Sequence, residues 1–233
     1  FISNSPIDAG SFSISTIAWG TAWGVDYKSV ESANWETFKQ FLQPIADRLG
    51  EWNPNSTTEV FDSISGMYWP EGYGPNSQDV IIPAFLAAYT NQSPNDVSLD
   101  LFPRIPLPNW RLTYDGLTKI PAVASVFQSI NLSHGYRATY AIGNYRSNLY
   151  FNEDANGYPD ATYLAVNAYY PKYDIAQVTL VEQFSPLLGV DMNFINSLSA
   201  RLEFKKSRNL TFSTANNQLT DVNSDEYVIG LGY

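Results

Sequence analysis

Residues 198–214 hold a single phase of polar–apolar alternation for seventeen positions. The odd positions, Ser199, Arg201, Glu203, Lys205, Ser207, Asn209, Thr211 and Ser213, are all polar. The even positions include Leu198, Ala200, Leu202, Phe204, Leu210 and Phe212. Period two is the signature of a strand, whose successive side chains point to opposite faces. Such a run extends about 55 Å, whereas an ordinary soluble strand has roughly five or six residues. Any fold for this chain must therefore accommodate a very long, two-faced strand. Lys206 and Arg208 fall in the apolar row and are expected to mark where that face leaves lipid.

The same alternation recurs through the second half. In residues 130–142, Ile130, Leu132, His134, Tyr136, Ala138, Tyr140 and Ile142 oppose Asn131, Ser133, Gly135, Arg137, Thr139 and Ala141. Residues 110–115, 188–194 and 227–233 alternate as well, and 162–170 and 176–184 do so more loosely. The whole chain offers roughly seven or eight candidate strands. Residues 195–197 and 221–224 read as short turns, and 144–160, with Asn, Asp, Glu, Gly and Pro, as a long loop. Long strands joined alternately by short turns and long loops are the pattern of outer-membrane β-barrels.

Residues 1–107 look different, and the chain is expected to divide into 1–107 and 108–233. Residues 11–18 alternate briefly, as a strand would. Trp35, Phe38, Leu42, Ile45 and Leu49 recur at helical spacing over 34–50, with Asn34 to cap the start, Gly50 to end it, and Pro44 to kink it. Residues 53–74 read as loop with a short extended piece at 58–65. Residues 78–89 read as a short helix interrupted by Pro83, and 100–108, with three prolines, as extended connection.

Composition narrows the surroundings. Charged residues make up 15% of the chain, below the roughly 25% of soluble domains, and aromatics another 15%. Few charges and many rings suit a lipid-facing wall with interfacial aromatics. They also suit a secreted glycan-binding β-domain, and a soluble antiparallel sandwich alternates in the same way. The net charge of −10 argues against a nucleic-acid partner, which would need a basic stripe. Cysteine is absent, so there is no disulfide framework and no thiolate metal site. No apolar run reaches the length of a transmembrane helix, which leaves a closed barrel as the way to span a bilayer. The chain opens on Phe1 without an initiator Met and is expected to be a mature chain or a piece of a longer polypeptide.

Several strings resemble the large outer-membrane translocon of the type IX secretion system, the SprA/Sov family of gliding-motility and cell-surface proteins of Bacteroidota. They are GYGPNSQDVIIPAF (72–85), PLPNWRLTYDGLTK (106–119), NLSHGYRATYAIGNY (131–145), and, within 183–233, EQFSPLLGVDMNF, LEFKKSRNLTFS and NNQLTDVNSDEYVIGLGY. The segment 34–50, ending Arg48-Leu49-Gly50, is similar to the one that precedes these in the family. The resemblance covers nearly the whole chain. It implies a segment toward the C-terminal side of one very large antiparallel transmembrane β-barrel, with the first half as a cap, loop or inward fold. It implies export of folded cargo proteins, with a periplasmic plug protein and a PorV-like barrel shuttle as partners. The family sequence continues past the position of Tyr233. Yet Tyr227, Ile229, Leu231 and Tyr233 also fit the aromatic-ended strand that closes many barrels.

Together these readings give an expected lumen-facing set, Ser199, Arg201, Glu203, Lys205, Asn131, Ser133, Arg137 and Thr139. The expected lipid-facing set is Ile130, Leu132, Tyr136, Tyr140, Leu198, Leu202 and Phe204. No chemistry is expected. His134, the only histidine, lies on an apolar face with no second ligand type beside it. The acidic pairs Glu153/Asp154 and Asp225/Glu226 read as solvated loop charge rather than paired catalytic carboxylates. Asp221, Asn223 and Asp225 have alternating oxygens but lack the glycine and distal glutamate of a calcium loop. The tryptophans Trp19, Trp23, Trp35, Trp52, Trp69 and Trp110 read as core or interfacial belt before sugar platform. No cofactor or metal is implied. Two other readings stay open, a different outer-membrane transporter or porin, and a soluble glycan-binding domain.

Overall fold

The computed structural model describes residues 7–19, 21–23 and 33–233. It is mainly β, with antiparallel sheets. The strands are β1 (Ala9–Ser15), β2 (Glu59–Asp62), β3 (Met67–Pro70), β4 (Trp110–Tyr114), β5 (Phe127–Ser147), β6 (Thr162–Tyr163), β7 (Ala168–Tyr169), β8 (Tyr173–Phe194), β9 (Ser199–Ser213) and β10 (Gln218–Gly232). The helices that matter are α1 (Ala33–Trp52) and α2 (Gln78–Tyr89).

One six-stranded sheet dominates, in the order β1-β5-β8-β9-β10. The sixth strand, β4, pairs with β5 on the same edge as β1: β1 takes 139–146 and β4 takes 132–136. A bond from the Leu107 amide to the Ser15 carbonyl (3.0 Å) ties the end of β1 to the segment that leads into β4. Every pairing is antiparallel, and among the described residues the sheet is open, with β10 as one edge.

The pairing of β9 with β10 is continuous from Gln218↔Ser213 to Gly232↔Ser199. Residues 221–224, expected as a turn, therefore lie inside β10; the turn is at 214–217, where Asn217 takes a positive φ of 53°. Polar composition misled there because β10 is an edge strand, free to carry polar residues on both faces. Residues 176–184 and 188–194 are one strand, β8, bent by a bulge between Phe184 and Leu188.

Helices cover one face of the sheet, over part of its length. α2 is apolar all round and nearly every residue from Val80 to Tyr89 is buried, as a central helix requires. α1 is amphipathic, burying Phe38, Ile45, Ala46 and Leu49, and packs on α2. Rings join the layers: Phe212 of β9 stacks on Phe85 (5.4 Å, 17°) and meets Phe38 (5.6 Å). α1 runs through Pro44 and past Gly50, which lies within it. A Cβ on Gly50 would come within 2.7 Å of Pro70, so the glycine serves β3 packing rather than helix ending.

Candidate functional site: a two-faced wall

Register fixes which side chains share a face. Arg201 stands across from Asp191, itself across from Asn131; Glu203 across from Gly189 and then Ser133. Ser207 leads through Gln183 to Arg137, Asn209 through Val181 to Thr139, and Ser199 pairs Asn193. All eight residues expected to face a lumen thus share one face. Leu202–Val190–Leu132 and Ala200–Met192–Ile130 form rows on the other, with Phe204 beside Leu188.

The polar face carries a ladder of alternating charge. Arg201 donates to Glu203 (2.5 Å) and lies 3.7 Å from Asp191. Lys205 lies 3.8 Å from Glu203 and 2.9 Å from Glu226, its cross-strand partner. Exposed pairs of this kind contribute little stability singly. They set cations and carboxylates alternately along one row of the face. Ser133 is the exception on this face: it is buried, packed where the β8 bulge brings Gly189 close.

The opposite face has two halves. Toward the 195–197 turn it is bare. Leu188, Leu198, Leu202, Tyr227, Ile229 and Leu231 are all exposed, as are Leu112 and Tyr114 of β4. Rings bound this aliphatic stripe. Phe127 and Phe194 pack at the turn end (4.7 Å). At the other end Phe204 stacks on Tyr227 (4.8 Å), and Trp110 stacks on Tyr136 (4.3 Å) with Trp19 against both.

Beyond that row the face is covered by protein. Tyr136 and Tyr140, expected against lipid, are 2% exposed, beneath residues 18–19 and 101–102. Of the expected lipid-facing set, Leu132, Leu198, Leu202 and Phe204 lie on the uncovered half, while Ile130, in the row toward the turn, is itself buried. Alternation marks a face as apolar; it carries no information on whether lipid or protein meets it.

Lys206 and Arg208 also differ from expectation, for Arg208 is 1% exposed inside the covered half. Its guanidinium grips Asp221 through Nε (3.0 Å) and Nη2 (2.6 Å) and lies over the Tyr89 ring. Glu182, equally buried, stands directly across from it on β8. Glu182 accepts from the Tyr136 hydroxyl (3.0 Å) and the Ala22 amide (2.7 Å), and the Tyr136 oxygen accepts from the Ala18 amide (2.9 Å). The cluster pins Ala18 and Ala22 against the sheet. Sequence reasoning missed it, although a signal existed: Glu182 breaks the apolar row of β8 as Arg208 breaks that of β9, and antiparallel pairing aligns them. Lys206 pairs with Asp225 (2.8 Å) and lies over Trp23.

The remaining chemical candidates stay apart. His134 bonds through Nδ1 to the Leu187 carbonyl (2.7 Å) at the bulge. Asp221 and Asp225 are engaged by Arg208 and Lys206, and Glu226 by Lys205. Asp154 accepts from the Asn156 and Tyr158 amides and from Asn55, and these bonds hold its carboxyl below the usual carboxylate range. Among the described residues no three His, Cys, Asp or Glu side chains converge as a metal site. Compared with known families and with characterised proteins, the sequence matches none.

Proposed function

We propose that this chain is a wall segment of an outer-membrane β-barrel, and specifically of a protein-conducting translocon of the type IX kind. One observation carries the reading. A sheet of strands 15 to 22 residues long sets an aliphatic stripe, bounded by two rows of rings, back to back with a hydrated charge ladder. Phe127 and Tyr136 stand nine positions apart on β5, about 30 Å along the strand. At a tilt of about 45° that is roughly 20 Å of depth, near the apolar band of about 25 Å between the aromatic girdles of such barrels.

The strand ends add support. β10 offers a fifteen-residue edge of unpaired backbone groups, a template for a further strand. The helices lie on the stripe's face but beyond its upper ring row, so they would sit outside the bilayer against the barrel's outer surface, rather than folding inward. The wall does no chemistry: it encloses a wet path for folded cargo. The driving force comes from elsewhere. The plug protein, the PorV-like shuttle and cargo are the partners this reading implies, with outer-membrane lipid against the stripe.

The chain lacks cysteine, so single cysteines test the faces cleanly. In membranes, cysteines at 201, 203 and 205 should react with a membrane-impermeant maleimide. Those at 188, 202 and 229 should resist it, and a fluorophore there should be quenched by spin-labelled lipid. Equal aqueous labelling at 202 and 203 would overturn the proposal.

A further inference from the structure

The end of the covered half farthest from the stripe holds a cavity of about 520 Å³. The C-terminus of α1, the start of α2, residues 99–104, residues 151–159 and the start of β8 enclose it. We infer that this cavity is a binding site for a neutral oligosaccharide. The inference does not depend on the barrel reading.

Rings and leucines share its apolar surface. Phe102, Tyr145 and Tyr173 pack edge to face at 5.1–5.4 Å, which fixes their orientation. Trp52 and Phe151 stand at the lining too, Trp52 with half its surface exposed. The scaffold is preformed. Gln78 is held at both ends of its amide, donating to the Tyr173 carbonyl (2.8 Å) and accepting from the Ile175 amide (2.9 Å), so the start of α2 is fastened to β8. Asn53 donates to the Tyr73 hydroxyl (3.1 Å), which fastens the end of α1.

Five charged side chains open onto the same space: Asp79, Asp100, Glu153, Arg104 and Lys172. None is ion-paired among the described residues. Asp100 accepts only a local bond from the Phe102 amide. Asp79 has no hydrogen-bond partner among the described residues, and it lies in the first turn of a buried helix. Asp79 is partly exposed and opens onto the cavity, and a concave site with convergent polar groups among rings is the usual form of a ligand pocket.

The mixture of groups selects the ligand. A fatty chain would strand five charges against hydrocarbon. A polyanion would meet three carboxylates, and a polycation would meet Arg104 and Lys172. A sugar ring presents C–H faces to aromatic rings and hydroxyls that both donate to carboxylates and accept from guanidinium and ammonium groups. The volume lies within the range of small-ligand sites, about 300–1,000 Å³.

The test is an array of neutral, acidic and basic oligosaccharides probed with the full chain in detergent, with calorimetry on each positive. A neutral oligosaccharide should bind. Trp52→Ala and Asp79→Asn should each weaken it about ten-fold or more, while Trp23→Ala, an exposed ring elsewhere, should leave it unchanged. Far-ultraviolet circular dichroism should show all three variants folded. If Asp79→Asn misfolds, Trp52→Ala alone decides. No saccharide bound, binding confined to charged glycans, or binding undiminished by Trp52→Ala would each overturn the inference.

Discussion

Replacing Leu202 by arginine separates a membrane wall from a soluble sheet. Leu202 sits near the middle of the bare stripe, four positions from Leu198 at the turn and two from Phe204 in the ring row, and is 42% exposed. On a soluble protein, a half-exposed edge-of-core position tolerates such a change to within about 0.5 kcal/mol. On the lipid face of a barrel, arginine near the midplane costs about 2–4 kcal/mol, a factor of about 30 to 1,000 in the folding equilibrium. The internal control is the next residue. Glu203 accepts from Arg201 and neighbours Lys205 on the opposite face, and Glu203→Gln keeps the side chain's shape while removing partly exposed ion pairs of about 1 kcal/mol. Glutamine serves better than lysine there, because lysine would set three cations in one row. The assay is urea unfolding in lipid vesicles, together with the fraction of heat-modifiable protein in outer membranes. Leu202→Arg should shift the equilibrium by at least about 1 kcal/mol more than Glu203→Gln. Equal losses, or a greater loss for Glu203→Gln, would refute the assignment of faces.

Arg208→Met should destabilise by about 3–5 kcal/mol, since it removes the cation that stands across from buried Glu182 and grips the partly exposed Asp221; denaturant midpoints should show most of the loss recovered in a triple variant that adds Glu182→Gln and Asp221→Asn. Burial pushes the Asp79 carboxyl up to about 6, although part of it opens onto the cavity. Because the folded pKa exceeds the unfolded one, its contribution to stability is fully present below about pH 4 and fades as pH rises through 6. Asp79→Asn should remove that slope from stability measured between pH 4 and 7, and a carbon-13 titration of Asp79 in the native chain should turn near 6. Gly72 takes a φ of +78°, and a Cβ there would lie 2.1 Å from the Tyr169 ring. Gly72→Ala should therefore cost more than about 1 kcal/mol in chemical unfolding, whereas Gly66→Ala, at a positive φ in open space, should cost less.

What the sequence determined by itself is local. The phase of alternation in 198–214 and 130–142 assigns Arg201, Glu203 and Lys205 to one face and Leu202 and Phe204 to the other, because a strand's period is two wherever it lies. Helical spacing placed α1 to within two residues for the same kind of reason, and the apolar run 78–89 is α2, which continues through Pro83 where an interruption was expected. What covers each face is a matter of tertiary contact. Nothing in the string around Tyr136 and Tyr140 distinguishes them from Leu132, yet Ala18, Trp19 and Leu101 cover the first two and leave the stripe beside Leu132 bare. Arg208 and Lys206 read as a membrane boundary until the register with β8 and β10 brought Glu182, Asp221 and Asp225 against them. The cavity is the extreme case. Trp52, Asp79, Arg104, Glu153 and Tyr173 are far apart in the chain and carry no common motif. They meet only because the long strands carry the ends of β5 and β8 to where two helices and two loops converge.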